Sequence, residues 1–441
     1  MTSTQPNASI PARDDRLRVL RTAVSQVVAP ALRIADTAAA SVFAAVRHRG
    51  PVARDVIAAR TGLSAATVNR QVSALLEAQL LRERPDLAAA GAVGRPRIPV
   101  EVNHEPYLTL GFHIGARITS IVASDLFGRT LEVVETPTPT GTQSTALASL
   151  VDSARSYLRR WHRRRLLWIG VAVGGVVDSL GGTVDHPRLG WVNAPVGAVL
   201  GNALGLPVSV ASHVDAMAGA ELLLGAPSPS APDLFARGRR TSLYVYARET
   251  VGFAQVIDGH VHTPAGGPGT IAGLPAQSEI LGETGLLETT VSDEAVLAAA
   301  RKQGIVPATG PHANIAGLVR MARQSDTGAA AARELLTERA RLLGGAVALL
   351  RDVLNPDEVV VGGQGFTEYP QALKHVHAAA ASRSLLGSPE IRVTRFGNRV
   401  QESGAAVASL SSLYADPLGS LRRSSGRRVS AALPVNGDAF S

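Results

Sequence analysis

A chain of 441 residues with 45% apolar content is long enough for two or three domains, each with a sizeable core. It has no cysteine, which excludes disulfides, thiol catalysis and cysteine-held zinc, and no run of eighteen apolar residues, which argues against a membrane-spanning helix. The formal charge of +8 is carried almost wholly by arginine, since only Lys302 and Lys374 are lysines, so part of it reflects base composition rather than a partner.

Residues 1–36 read as an N-terminal extension. Met1–Ile10 is polar and lacks the apolar centre of a signal peptide, so a cytoplasmic location is expected. Residues 1–16 read as disordered, and Leu17–Leu32 as a helix interrupted near Pro30 that packs on the following unit.

Residues 37–103 read as a winged helix-turn-helix. Thr37–Arg49 carries Val42, Phe43 and Val46 on one stripe, and Val52–Arg60 follows a Gly50-Pro51 break. In Thr61–Leu76, Gly62 permits a tight turn and Ser64 supplies an N-cap hydroxyl. Val68, Val72, Leu75 and Leu76 recur at helical spacing. The opposite face holds Ala66, Asn69, Arg70, Ser73 and Glu77. Arg and Asn can each pair two hydrogen bonds with guanine or adenine in a major groove, and Thr67 flanks them as a phosphate contact. The plain alternative is an amphipathic surface helix; alone the stretch favours DNA binding only modestly, and its neighbours strengthen that reading. Leu80-Leu81-Arg82 begins an extended piece, Pro85–Gly94 is a small loop, and Arg95–Val102 returns, which is a wing with Arg95 and Arg97 at its tip. Arginines on a narrow arm suit a minor groove. Between Asp36 and Val100 nine arginines face five carboxylates, about half the chain's excess charge in far less than half its length.

After the linker His104-Glu105-Pro106 the pattern changes to short apolar runs. Residues 107–221 read as one α/β lobe. Leu108–Ile114 and Thr119–Asp125 are strands about a turn at Gly115, Thr130–Thr136 is a third strand, and Thr145–Arg160 is helical. Leu167–Val173 is a buried strand ending in Gly174-Gly175, and Val208–Ala211 another before a helix through Glu221. Residues 241–414 read as a second lobe that returns to the first. It opens with Leu243–Ala247, Phe253–Ile257 and His260–His262, continues with the helices Asp293–Lys302, Asn314–Arg323 and Ala329–Val353, and reaches the strand Val359–Val361 and Gly362-Gly363. Gly344-Gly345 implies close helix packing. Residues 415–441 read as a loose tail. The basic run Arg159–Arg165 reads as a solvated helix end beside the negative pole of the helix dipole. His260 and His262 share a strand face and read as an exposed pair rather than metal ligands.

The order of landmarks resembles the ROK family of sugar kinases and sugar-responsive repressors. They are Leu63–Val68 with Gly94-Arg95-Pro96, Asp125-Leu126-Phe127-Gly128, Val171–Asp178 with Gly190–Pro195, Asp258-Gly259, and Leu354-Asn355-Pro356 through Gly362-Gly363. The resemblance runs from Thr37 to Tyr414. It implies an α/β fold: an N-terminal winged helix followed by a two-lobed actin-like, ribonuclease-H-like domain.

Departures from the family pattern fall on its chemistry. The kinases' first phosphate turn stands here as His113-Ile114-Gly115-Ala116-Arg117, without the close-approach glycine. The second aligns with Arg248-Glu249-Thr250, where Glu249 repels phosphate. His213 takes the place of the catalytic Asp, with Asp215 two residues on. The family's sugar-binding Glu and His fall at Thr270–Gly273, and its zinc loop at Leu274–Gly285 has no Cys. The expectation is therefore a transcriptional regulator, not an enzyme, with no cofactor and no metal. It would bind double-stranded operator DNA as a homodimer or tetramer through Ser64, Thr67, Asn69, Arg70, Ser73, Arg95 and Arg97. A small effector would sit between the lobes near Asn193, His213 and Asp215. The alternatives are an atypical sugar kinase with His213 as base, and an interaction scaffold.

Overall fold

The computed structural model describes residues 26–88, 97–225, 240–264, 267–282, 285–310, 312–325 and 327–425. The first three helices of the described chain are short: α1 (Ala38–Arg49), α2 (Arg54–Thr61) and α3 (Ala65–Glu77). Each boundary has a local cause. Thr37 caps α1, Gly62 ends α2 at a φ of 68°, and the Ser64 hydroxyl accepts from the Thr67 N–H at 3.2 Å to start α3. Val42, Phe43, Val46, Ile57, Val68, Val72 and Leu75 are buried together between the helices. The strands β1 (Leu81–Glu83) and β2 (Val100–Val102) pair antiparallel as the base of a wing, and Val52 bridges to Val100 on the other edge. The wing tip with Arg95 lies outside the described residues.

The two lobes share one strand plan. In lobe I, β3 (Tyr107–Ile114), β4 (Ile118–Ser124) and β5 (Thr130–Pro137) form an antiparallel meander. Then β6 (Arg165–Val173) and β10 (Val208–Ser212) add parallel beyond β3. The helices α4 (Gln143–Leu158) and α5 (Val196–Leu204) cover its outer face. Between β6 and α5 the chain forms a small antiparallel sheet, β7 (Val176–Asp178), β8 (Thr183–His186) and β9 (Trp191–Ala194). In lobe II, β11 (Ser242–Ala247), β12 (Val251–Ile257) and β13 (His260–His262) repeat the meander. The short strands β14 (Gly269–Thr270), β15 (Pro275–Ala276) and β16 (Gly285–Leu286) decorate it. Finally β17 (Glu358–Gly362) and β18 (Glu390–Val393) add parallel beyond β11. The strand order is therefore the same in both sheets, and the carboxyl ends of β3, β6, β11 and β17 open on one cleft.

Two helices join the parts. Helix α6 (His213–Leu223) contacts β11, β12 and β13 of lobe II, and also the long helix Val400–Ala415. Val400–Ala415 returns to lobe I and lies on β3 and β6. Gly111 and Gly170 make that approach possible, because a Cβ at Gly170 would overlap the backbone of Ser409, and one at Gly111 the backbone of Ala405. A single buried cluster runs from the winged unit through Leu126, Leu223 and Tyr414 to Tyr246 and Val256 of lobe II. Arg47 fastens the winged unit there: it donates to the Leu223 carbonyl at 2.9 Å and lies 4.0 Å from the centre of the Tyr414 ring.

Three readings of the sequence change. Gln26–Ile34 is not part of a helix. It is extended and bonds to strand edges, and Pro30, which has no N–H and disfavours helix at the residue before it, is at home there. The stretch after Ala415 is not loose where it is described. Pro417–Ser425 is a helix in which Pro417, Gly419 and Ser420 are buried. The basic run is only partly solvated. Arg164 donates to the carbonyls of His104 and Tyr107, and Arg165 to the Ser425 hydroxyl at 2.6 Å, so both hold neighbouring segments in place. Gly344 does face a close neighbour, lying against Val376 and Ala379 of the helix Leu373–Arg383.

Candidate DNA interface and interlobe cleft

The outer face of α3 is built by what its inner face buries. Val68, Val72 and Leu75 are fully buried, which turns Asn69, Arg70 and Ser73 outward and leaves all three exposed. Among the described residues Arg70 makes no ion pair or hydrogen bond. Asn69 accepts from Arg54 at 3.4 Å, and Arg54 lies 3.6 Å from Glu83 at the base of the wing. Ser64 is engaged as the cap and also donates to the Thr67 hydroxyl at 3.0 Å, so both hydroxyls stand at the N-terminus of α3. Arg97 is exposed on the returning arm and pairs with Asp55 of α2 at 2.6 Å. Helix α2 therefore touches both proposed reading elements through Arg54 and Asp55. Sequence reading missed these two, and their position one helix before α3 was the available signal.

Much of the local basic excess is neutralised within the unit. Arg82 pairs with Glu101 and Glu105, and Arg84 with Asp86 and Glu101. Among the described residues of the unit, Arg49, Arg60 and Arg70 are the exposed arginines without an ion pair.

The second site is the cleft between the lobes, a cavity of about 520 Å³. Its floor is formed where strands end. His113 closes β3, Gly174 and Gly175 follow β6, His186 closes β8, and His213 follows β10. Tyr246 and Arg248 end β11 on the opposite side. The rings of His113 and His213 stack with centroids 6.2 Å apart, and His213 lies 5.3 Å from Tyr246. Burial, with His213 and Arg248 nearby, holds His113 down to about 3. Burial, with His186 and Arg248 nearby, holds His213 down to about 4. Both rings are therefore neutral at pH 7. His113 Nε2 and His186 Nδ1 are buried without a hydrogen-bond partner among the described residues.

At the two turns that the family resemblance matches to phosphate loops, this chain places ion pairs. The Gly115 N–H is taken by the Ile118 carbonyl at 3.0 Å, and the Arg248 N–H by Thr250 at 3.1 Å. Arg117 of lobe I pairs with Glu294 of lobe II at 2.9 Å. Arg188 of lobe I reaches Glu294 at 3.7 Å and Glu288 at 4.0 Å, and donates to the Glu249 carbonyl at 3.1 Å. Arg248 is held by Glu249, Asp293 and Gln401. His213 thus lines the cleft, whereas Asn193 and Asp215 do not. Asn193 is exposed on β9 at a φ of 47°, its N–H bonded to Asp185. Asp215 is buried in the first turn of α6, where burial raises its carboxyl to about 7. Among the described residues no group of three His, Cys, Asp or Glu side chains is placed to hold a metal, and His260 and His262 are both exposed.

The ROK family model matches residues 109–414. The chain belongs to the ROK family. It is 66% identical over 421 residues to the transcriptional regulator Rv0485 of Mycobacterium tuberculosis (strain ATCC 25618 / H37Rv), covering 94% of this chain and 93% of that one. It is 25% identical over 403 residues to the DNA-binding transcriptional repressor Mlc of Escherichia coli (strain K12), covering 85% and 93%. A crystal structure of a ROK family transcriptional regulator homologous to E. coli Mlc superposes with a TM-score of 0.70 at 22% identity, over 88% of this chain and 98% of that one. That likeness spans both the winged unit and the lobes. It places this ROK chain with two-lobed proteins that carry an N-terminal helical unit, as the family resemblance implies. No described helix is long and apolar enough to cross a membrane.

Proposed function

We propose that this ROK protein reads operator DNA with α3 and the wing, and that the interlobe cleft receives a small effector. The chain is a DNA-binding transcriptional regulator and not a kinase. The observation that carries the residue-level reading is α3 itself. Val68, Val72 and Leu75 of its apolar face are fully buried while Arg70, Asn69 and Ser73 stand exposed beside a capped N-terminus. Arg70 is the direct reader, since its guanidinium is uncommitted and fits a guanine edge. Thr67 and Ser64 stand where a backbone phosphate meets the helix N-terminus. Arg95 and Arg97 serve the flanking minor groove.

A homodimer places two such helices about one helical turn apart, so the operator is an inverted repeat of that spacing. Mapping of bound genomic fragments tests this. It should return such a repeat, and enrichment without any shared inverted sequence would contradict the dimeric reading.

The effector reading rests on the unpartnered nitrogens of His113 and His186 on the cleft floor beside His213. Neutral imidazoles hydrogen-bond an uncharged polar ligand, and a sugar-like molecule has the hydroxyls they need. A ligand found by thermal shift should lose its effect in a His113→Ala/His213→Ala variant. A shift that survives in that variant would locate the ligand elsewhere.

A further inference from the structure

The segment Gln26–Ile34 touches both lobes in nine residues and ends just before the winged unit. At its start it pairs with β10 of lobe I. Val28 donates to the Val208 carbonyl at 2.8 Å, Val208 donates to Gln26 at 2.8 Å, and the Ser209 hydroxyl donates to the Val28 carbonyl at 2.7 Å. At its end it pairs with the edge of lobe II. Ile34 donates to the Gly259 carbonyl at 2.8 Å, and Val261 donates to the Leu32 carbonyl at 3.0 Å. Glycines clear its path. A Cβ at Gly182 or Gly197 would meet the Val27 side chain, one at Gly201 would meet Gln26, and one at Gly219 of α6 would meet Leu32. The side chain of Leu32 is buried in the same cluster as the winged unit.

Only Ala35 and Asp36 separate this segment from Thr37, the cap of α1. A residue spans at most about 3.5 Å, so two residues leave little slack. Across the cleft the lobes are joined by Arg117–Glu294, Arg188–Glu294 and Arg188–Glu288. Arg117, Arg188 and Glu294 are exposed and Glu288 is half-buried, which makes the pairs individually weak and open to screening by salt.

We propose that Gln26–Ile34 is a strap that converts opening of the cleft into movement of the winged unit against lobe I, and that the Arg117, Arg188 and Glu294 pairs are the latch holding the cleft closed. Lobe II can swing away only by pulling β13, and with it Leu32 and Ile34. The pull reaches α1 through two residues. It is opposed by the Arg47 contacts with Leu223 and Tyr414. The inference depends on the reading of α3 as the DNA reader for its consequence, but not for its test.

The chain has no cysteine, so introduced pairs report alone. Nitroxides at Glu77→Cys and Asp152→Cys measure the winged unit against lobe I, and at Asp152→Cys and Leu385→Cys lobe I against lobe II. All three positions are exposed. Distances are taken by pulsed dipolar spectroscopy on the full chain in three forms. These are the parent, an Arg117→Gln/Arg188→Gln/Glu294→Gln variant, and that variant with six Gly/Ser residues inserted after Ala35. The parent in 1 M salt, where screening reaches about 3 Å, opens the latch without mutation. The expected result is a longer lobe-to-lobe distance in the variant and in high salt, with a shifted winged-unit distance that the insertion abolishes. An unchanged lobe-to-lobe distance in both overturns the latch. An opened cleft with an unmoved winged unit, or one that moves equally with the insertion, overturns the strap.

Discussion

Residue by residue, the winged unit commits four of its arginines, Arg54, Arg82, Arg84 and Arg97, to its own carboxylates. A count of nine arginines against five carboxylates marks the region as basic, but it does not show which guanidiniums are free. Pairing is a property of folded geometry: Arg82 meets Glu101 only because β1 and β2 align them directly opposite. Asp55 restrains Arg97 in the same way. Replacing Asp55 with Asn should therefore tighten binding to every DNA sequence and steepen the salt dependence by about one unit, since one more cation becomes available. Titrations at several salt concentrations read this, and an unchanged slope would show that Arg97 never reaches phosphate. The cleft histidines carry a second residue-scale consequence. Their folded values of about 3 and about 4 lie below the ordinary imidazole value of 6.5. Above that value they are neutral in both folded and unfolded chains and contribute nothing. As pH falls through 6.5 the unfolded chain takes up protons first, so stability declines toward pH 4. Asp215, raised to about 7, acts oppositely by holding its proton in the fold, and offsets part of the decline. The melting temperature of the parent should fall between pH 7 and pH 5, and that of a His113→Gln/His213→Gln variant should fall less. Parallel declines would show that other groups set the acid limit.

At the scale of elements, packing rather than propensity decides where the helix Val400–Ala415 lies. It meets β3 and β6 at two glycines, and Gly170 has the tighter approach. Gly170→Ala forces the helix off the sheet and should cost about 1–3 kcal/mol by overpacking, visible as a lowered melting temperature. A neutral effect would mean that the helix shifts freely. The same elements show what a sequence can reveal. The strands and helices of both lobes announce themselves by period, and α3 by its cap, its glycine and its apolar spacing. The small sheet β7–β9 does not. Its strands have only three or four residues, and Val176 and Val192 point apolar side chains outward, so no alternation marks them. The strap is equally silent, because Gln26–Ile34 owes its extended form to the edges of β10 and β13, far away in sequence. Asn193 and Asp215 neighbour the cleft segments in sequence but do not line the cleft. The chain puts one on an exposed strand and turns the other into α6, although His213 lies in the cavity wall.

For the whole molecule, one strand plan is used twice, and its two copies face each other across a cleft. The hairpin turns that face each other across the cleft carry side chains and ion pairs where a kinase needs bare amides, and the histidines that floor it are uncharged. A continuous buried cluster joins this cleft to the winged unit, which makes the lobes the frame for a DNA reader. The claim on which the account turns is that α3 reads bases. It is tested most directly by titrating the parent, Arg70→Ala and Thr67→Ala on operator and random duplexes at several salt concentrations. A good bidentate base contact is worth about 1–3 kcal/mol and depends on the base, whereas a phosphate contact is shared by all sequences. Arg70→Ala should weaken the operator about tenfold or more and random DNA far less, because 1.4 kcal/mol is tenfold. Thr67→Ala should weaken both alike. Operator affinity that survives Arg70→Ala intact would contradict the assignment of α3 as the reader.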